Sequence, residues 1–360
     1  MNVSHFKTYS KQDVLSLVKI RRFETKLGER VQVLQQPDDI VTSLQSLSAA
    51  YVIFGVPEDI GIQANQGIAG ASTAWLSFLQ YFLNIQSSDF FEGSEVAVIG
   101  HFDFGDIQFL IDKNAYSDEE KLEAYRHAVH TIDDEVEGLA KAITAAGKIP
   151  VVIGGGHNNA YPLIKGTSKG LLQLQKIPIT QINCINLDAH ADYRPAEGRH
   201  SGNAFRYAED DGYLQKYCVV GLHENYLPQN VWTDIVNNPF FDCITYEDIF
   251  IHEKRTFRQA VSHAIQFTAD SFTGIELDLD AIQDTLSSAC TPSGISPLFA
   301  RQYMNLCGAH VKAAYLHLCE GATRLANGKT DESTGKLIAY LVSDFIKMHF
   351  TKQIIPLHEA

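Results

Sequence analysis

Two textures of apolar and polar positions alternate along the chain. Short β-branched or apolar runs at Ala50–Val56, Glu95–Gly100, Ile149–Ile153, Gln181–Asp188, Tyr217–Gly221, Asp242–Thr245, Gly274–Asp280 and Ala313–Cys319 predict strands. Between them lie longer stretches with a helical period. In Ser117–Ala146, Ser117 and Asp118 can cap a helix, Glu119 and Glu120 suit its first turn, and Gly147 and Pro150 end it. Ser333–Phe350 predicts another helix. The strands are apolar on both faces, as a parallel sheet between helices requires. The alternation predicts one α/β domain over residues 1–360, a mainly parallel sheet with helices on both faces. The less regular residues 1–45 predict a helical flank.

Composition narrows the class. The 360 residues are 45% hydrophobic, enough for a large core, and the formal net charge is -14. No basic stripe is present, which argues against a nucleic-acid partner. The N-terminus carries no apolar leader, and the longest apolar runs are too short to span a bilayer. The 6 cysteines are scattered without a C-x-x-C pair, the usage of reduced, buried thiols, so a cytoplasmic location is expected.

Open α/β sheets bind ligands beyond the carboxyl ends of their strands, and three strand ends here carry metal-type residues. Val151–Ile153 runs into Gly154-Gly155-Gly156-His157, whose glycines allow a sharp turn. Alone, this segment also fits a phosphate-cradling loop or a hydrogen-bonded loop histidine, although the lysine and spacing of a phosphate motif are missing. In Asp188-Ala189-His190-Ala191-Asp192 three ionisable groups alternate and, if extended, share a face. A solvated turn would tolerate them; buried, they would repel unless a cation lay between them. In Glu276-Leu277-Asp278-Leu279-Asp280 the acids again alternate with apolar residues, a pattern an edge strand could also show. Together His157, Asp188, His190, Asp192, Asp278 and Asp280 form one constellation. Oxygen and imidazole donors without thiolates suit Mn2+ and leave Ni2+ or Co2+ open. Six ligands rich in carboxylates favour two ions about 3.5–4 Å apart.

These segments resemble the ureohydrolases: arginase, agmatinase, formimidoylglutamase and relatives. The family's Gly-Gly-x-His loop, Asp-Ala-His-x-Asp and Asp-x-Asp all occur, in order, each at a strand end. The likeness runs from Phe54-Gly55-Val56-Pro57-Glu58-Asp59 through Gly105-Asp106 to Leu318-Cys319-Glu320. It implies a three-layer α/β/α fold around about eight parallel strands, a binuclear manganese centre, and homo-oligomers. By the same resemblance His157, Asp188, Asp192 and Asp278 would hold one ion, and Asp188, His190, Asp278 and Asp280 the other. Asp192 would orient the attacking water, and Glu320 would hold the nitrogen end of the substrate.

Within the family the tail Asp192-Tyr193-Arg194 and the later Arg199-His200-Ser201-Gly202-Asn203 resemble formimidoylglutamases, which have Ser-Gly where arginases and agmatinases have His-Gly. Arg194 could grip a substrate carboxylate bidentately, or serve a structural ion pair. Asn203 and Ser201 join it as expected substrate contacts, and His200, beside Ser201, as a candidate proton donor. The implied reaction is hydrolysis of N-formimidoyl-L-glutamate to glutamate and formamide. The alternatives are a guanidino-compound hydrolase releasing urea and an inactive binding protein. Gly156 where most relatives have Asp, Glu276 where they have Ser, and Ile282-Gln283-Asp284 where Asp-Pro is common mark a divergent branch.

Overall fold

The computed structural model describes residues 3–354, so the outermost residues of the expected 1–360 domain lie outside the described residues. The strands are β1 (Phe6–Thr8), β2 (Tyr51–Gly55), β3 (Val96–Phe102), β4 (Ile149–Ile153), β5 (Ile182–Leu187), β6 (Leu214–Leu222), β7 (Phe241–Thr245), β8 (Thr273–Asp278) and β9 (Ala313–Cys319). They form one 9-stranded sheet in the order β1-β3-β2-β4-β9-β8-β5-β6-β7. Every pairing is parallel except β1 with β3.

Period-2 side-chain alternation explains the layers. Tyr51, Ile53, Val96, Val98, Val151, Ile153, Ile275, Leu277, Leu316 and Leu318 enter one core, with Trp75, Phe78, Met304 and Phe345 from helices Ala74–Phe82, Pro297–His310 and Ser333–Ile354. Val52, Phe54, Ala97, Ile99, Val152 and Cys184 enter the other, under helices Asp118–Ala145 and Ala160–Gln173. The long helix starts as expected: Ser117 Oγ accepts from Glu120 N, and the Glu120 carboxylate accepts from Ser117 N.

The flank departs from its expected helical character. It holds helices Lys11–Ser16, Leu27–Arg30 and Ile40–Ser46, but opens with β1, which extends the sheet antiparallel through Phe6↔Phe102. His5 fixes this strand: its Nδ1 lies 2.6 Å from Glu135 Oε1, and its backbone N–H donates to Glu135 Oε2 at 3.0 Å. No helix among the described residues is long and apolar enough to cross a membrane, and all six cysteines are free thiols.

Candidate metal centre

The site forms where β4, β5, β8 and β9 end side by side. After Ile153 the chain turns through Gly154 and Gly155, with φ of +90° and +75°. A Cβ on Gly155 would stand 2.6 Å from Val56 O, so the turn requires glycine on both counts. The turn delivers His157, fully buried, at the start of a short 3-10 turn. A Cβ on Gly156 would lie 2.5 Å from Asn158 Oδ1, so a larger residue there would require the Asn158 side chain to move. Buried Glu58 pins the loop instead, accepting from Gly156 N at 3.0 Å, Asn159 Nδ2 at 2.9 Å and Gly61 N at 2.9 Å. The sequence motif gave no hint of that role.

β5 ends at Leu187, so the alternation of Asp188, His190 and Asp192 is not an extended strand. The chain leaves the sheet at Asp188, and Asp192 takes a left-handed backbone with φ of +44°. The loop brings the three together by bending: Asp188 Oδ1 accepts from His190 N at 2.7 Å, and Asp188 Oδ2 from Asn186 Nδ2 at 2.9 Å. His157 Nδ1 faces Asp192 Oδ2 at 2.8 Å, Asp188 Oδ2 at 3.2 Å and Asp278 Oδ2 at 3.3 Å. His190 Nδ1 lies 3.0 Å from Asp280 Oδ2 and 3.7 Å from Asp188 Oδ1.

β8 likewise ends at Asp278, where Oδ1 accepts from Asp280 N at 2.8 Å and starts a 3-10 turn carrying Asp280. Beyond β9, Glu320 sits at φ of +62° and accepts from His157 N at 3.0 Å. Two of the cleft's acids, Asp192 and Glu320, thus hold a backbone conformation rare for non-glycine residues. Carboxylate and imidazole donor atoms of the motif residues within 4.8 Å of one another form the groups His157–Asp188–Asp192–Asp278 and Asp188–His190–Asp280, with a third group, His157–His317–Cys319, behind them. Asp188 belongs to the first two; Asp278, expected to be shared, belongs to the first alone at that spacing.

The electrostatics of this cluster call for a cation. Burial, then the Asp280 and Asp188 carboxylates, push Asp278 well up, and burial with Asp280 and Asp192 does the same to Glu320. Burial and Asp188 raise Asp192 to about 6. Burial opposes charge on His157, yet Cys319 and then the Asp188, Asp192 and Asp278 carboxylates hold its pKa well above the ordinary histidine value. Neither ring nitrogen of His157 has an aligned hydrogen-bond partner. Anionic oxygens converging on buried imidazole nitrogens fit a divalent ion, with hard and borderline donors only.

A cleft of about 620 Å3 opens over this cluster. Asp192, Asp278, Asp280 and Glu320 line it together with Arg194, Ser201, Asn65 and Tyr226. The half-exposed Arg194 donates to Asn65 Oδ1 at 2.8 Å and Glu197 Oε1 at 2.9 Å, so it faces the cleft and is also ion-paired. His200 and Asn203 do not line the cleft. His200 is buried, its Nδ1 accepts from Gly202 N at 3.1 Å, and burial with nearby Arg194 lowers its pKa to about 3. Asn203 is spent on structure: Oδ1 accepts from Arg199 Nη1 and His200 N, and Nδ2 donates to Gly198 O. Of the residues expected at the substrate, the cleft lining thus takes Arg194 and Ser201 directly, while His200 reaches it only through Glu197, whose Oε1 lies 3.3 Å from His200 Nε2.

Among the cleft residues that escaped the sequence reading are Asn65, Glu197 and Tyr226. Asn65 follows helix Ile60–Ala64, and Tyr226 stacks on the His190 ring at 5.0 Å and 20°. Tyr226 lies just past β6, so inspecting that strand end for aromatic residues as well as ligands would have found it.

Parallel strand ends, clustered acids and histidines and a cleft above them make a candidate metal-dependent hydrolase site on an α/β/α fold. The arginase family model matches residues 49–346, and the chain belongs to the arginase family. It is 28% identical to a formimidoylglutamase of Geobacillus thermodenitrificans over 335 residues, 87% of each chain. Among solved structures it is similar to Bacillus subtilis formimidoylglutamase (TM-score 0.69, 16% identity, 94% of this chain and 95% of that one). It is also similar to Trypanosoma cruzi formiminoglutamase with Mn2+ (TM-score 0.67, 20% identity, 91% and 98% coverage).

Proposed function

We propose that the chain hydrolyses the carbon–nitrogen bond of N-formimidoyl-L-glutamate, giving L-glutamate and formamide. The observation that carries this reading is that Arg194 and Glu320 line the same cleft as the acid cluster: a cation for a carboxylate, an acid for an amidinium. The names of the curated relatives support the same substrate.

In this reading His157, Asp188, Asp192 and Asp278 hold one Mn2+, and Asp188, His190 and Asp280, with Asp278 beside them, hold the second. Bound there, the ions supply Lewis acidity and an activated water. The chain's own residues do the rest. Glu320 pairs with the formimidoyl nitrogen and sets the carbon over the cluster. Asp192 accepts a hydrogen bond from the attacking water. Arg194 fixes a substrate carboxylate, and Asn65 and Glu197 hold its guanidinium in place. Water adds to the formimidoyl carbon, the bond to the glutamate nitrogen breaks, and that nitrogen leaves with a proton derived from the water.

The test is glutamate release from N-formimidoyl-L-glutamate by the Mn2+-loaded protein, with urea release from a guanidino panel beside it. Glutamate with no urea is expected. Urea alone would move the substrate to the guanidino class; no product from either, with metal bound, would favour a binding protein.

A further inference from the structure

Beneath the metal-type residues lies a second tier of polar side chains that the reaction does not use. Asn186, Glu276 and His317 sit side by side on β5, β8 and β9, in register as Asn186↔Glu276 and Glu276↔His317, and all three are fully buried. Asn186 braces Asp188. Glu276 faces the other way along the tier. Its Oε1 accepts from Tyr315 Oη at 2.6 Å, while Oε2 stands between His317 Nδ1 at 2.6 Å and His157 Nε2 at 3.5 Å.

We propose that Glu276 is a positioning residue for metal binding: its carboxylate is the outer partner of His157, orienting the imidazole so that Nδ1 meets the ion. This rests on the reading that the cluster holds divalent ions. A metal-bound histidine commonly gives its other ring N–H to a carboxylate, which fixes tautomer and ring plane, and losing that partner costs about 10–100-fold in metal affinity. Nε2 makes no aligned hydrogen bond, the Glu276 carboxylate at 3.5 Å is the acid that faces it, and the loop residue before His157 is a glycine with no side chain to offer. Tyr315 and His317 keep Glu276 in place, so the carboxylate is held by groups independent of the ion. The rival outer partner is the Cys319 thiol, which clusters with His157 and His317 within 4.8 Å.

Mn2+ titration of wild type, Glu276→Gln and Cys319→Ala, followed by EPR and by inductively coupled plasma analysis, decides the matter. Wild type takes up two ions. In Glu276→Gln we expect one ion to bind as in wild type, at the His190 side, and the other about 10–100-fold more weakly, while the metal-free protein melts within a few degrees of wild type. Cys319→Ala is expected to bind both ions as wild type does. Unchanged affinity for both ions in Glu276→Gln overturns the proposal, as does weakening confined to Cys319→Ala. A uniform loss of both ions with a collapsed melting temperature assigns Glu276 to structure alone and also overturns it. If Glu276→Gln does not fold, Glu276→Ser is read by the same criteria. Failure of wild type to bind any ion would instead remove the metal reading itself.

Discussion

Arg199 lies bidentate on Asp133, Nε to Oδ2 at 2.9 Å and Nη2 to Oδ1 at 3.1 Å, with the guanidinium over the Tyr161 and Tyr207 rings. It ties the loop bearing Arg194 and Ser201 to helix Asp118–Ala145. Both partners are buried, so removing one strands the other. Arg199→Ala is expected to lose about 3–5 kcal/mol of stability in denaturant unfolding. An unchanged midpoint would mean that the pair contributes nothing net.

Arg194 predicts a different split. Its guanidinium is half exposed and already held by Asn65 and Glu197, so its removal should spare the fold. Arg194→Ala is expected to raise KM for the formimidoyl substrate about 10–100-fold, the loss of a charge-assisted contact, with kcat little changed. A fall in kcat at constant KM would contradict a role in holding the carboxylate.

His200 is buried behind Glu197 and is held neutral by burial and by Arg194. His200→Asn, which can still accept from Gly202 N, should leave the pH profile of kcat/KM in place. Loss of its acid-side or base-side limb would restore the proton-donor role that the sequence suggested.

Chelation should reveal how strained the empty cluster is. Ligand binding to the folded state alone adds about 2.7 kcal/mol per site at a concentration 100 times Kd. Treatment with EDTA is therefore expected to lower Tm by several degrees and abolish turnover, both returning with added Mn2+. Equal Tm with and without Mn2+ would count against metal binding.

His5 gives a pH signature remote from the cleft. Burial alone would lower its pKa, but the hydrogen bond and charge of Glu135 more than reverse this, with Asp106 helping. A raised folded-state pKa contributes stability fully below the unfolded value, near 6.5, and loses it as pH rises through the folded value. The Tm gap between wild type and His5→Gln should therefore be larger at pH 6 than at pH 9. A gap that grows with pH would reverse the assignment.

The candidate ligands were legible in the sequence because each motif is local: a histidine after three glycines, or acids two residues apart at a strand end, suggests its chemistry wherever the loop goes. Their geometry was not. Nothing in the order Asp188, His190, Asp192 distinguishes a straight strand from a bend with a left-handed Asp192. β1 was invisible for a related reason, since three residues on an edge are too few to show a period. The placement of His200 and Asn203 depended on Arg199, whose partner Asp133 lies 66 residues earlier in the chain.

Strand order has a consequence for how the molecule comes off the ribosome. β9 is the last strand in sequence yet sits between β4 and β8, in the middle of the sheet. Until Ala313–Cys319 has emerged, the first and second halves of the sheet have no seam to join them, and Glu320 has not met His157. A nascent chain therefore carries His157, after β4, apart from Asp188, His190, Asp192, Asp278 and Asp280, after β5 and β8, and the group that includes His157 comes together only when the last strand is in place.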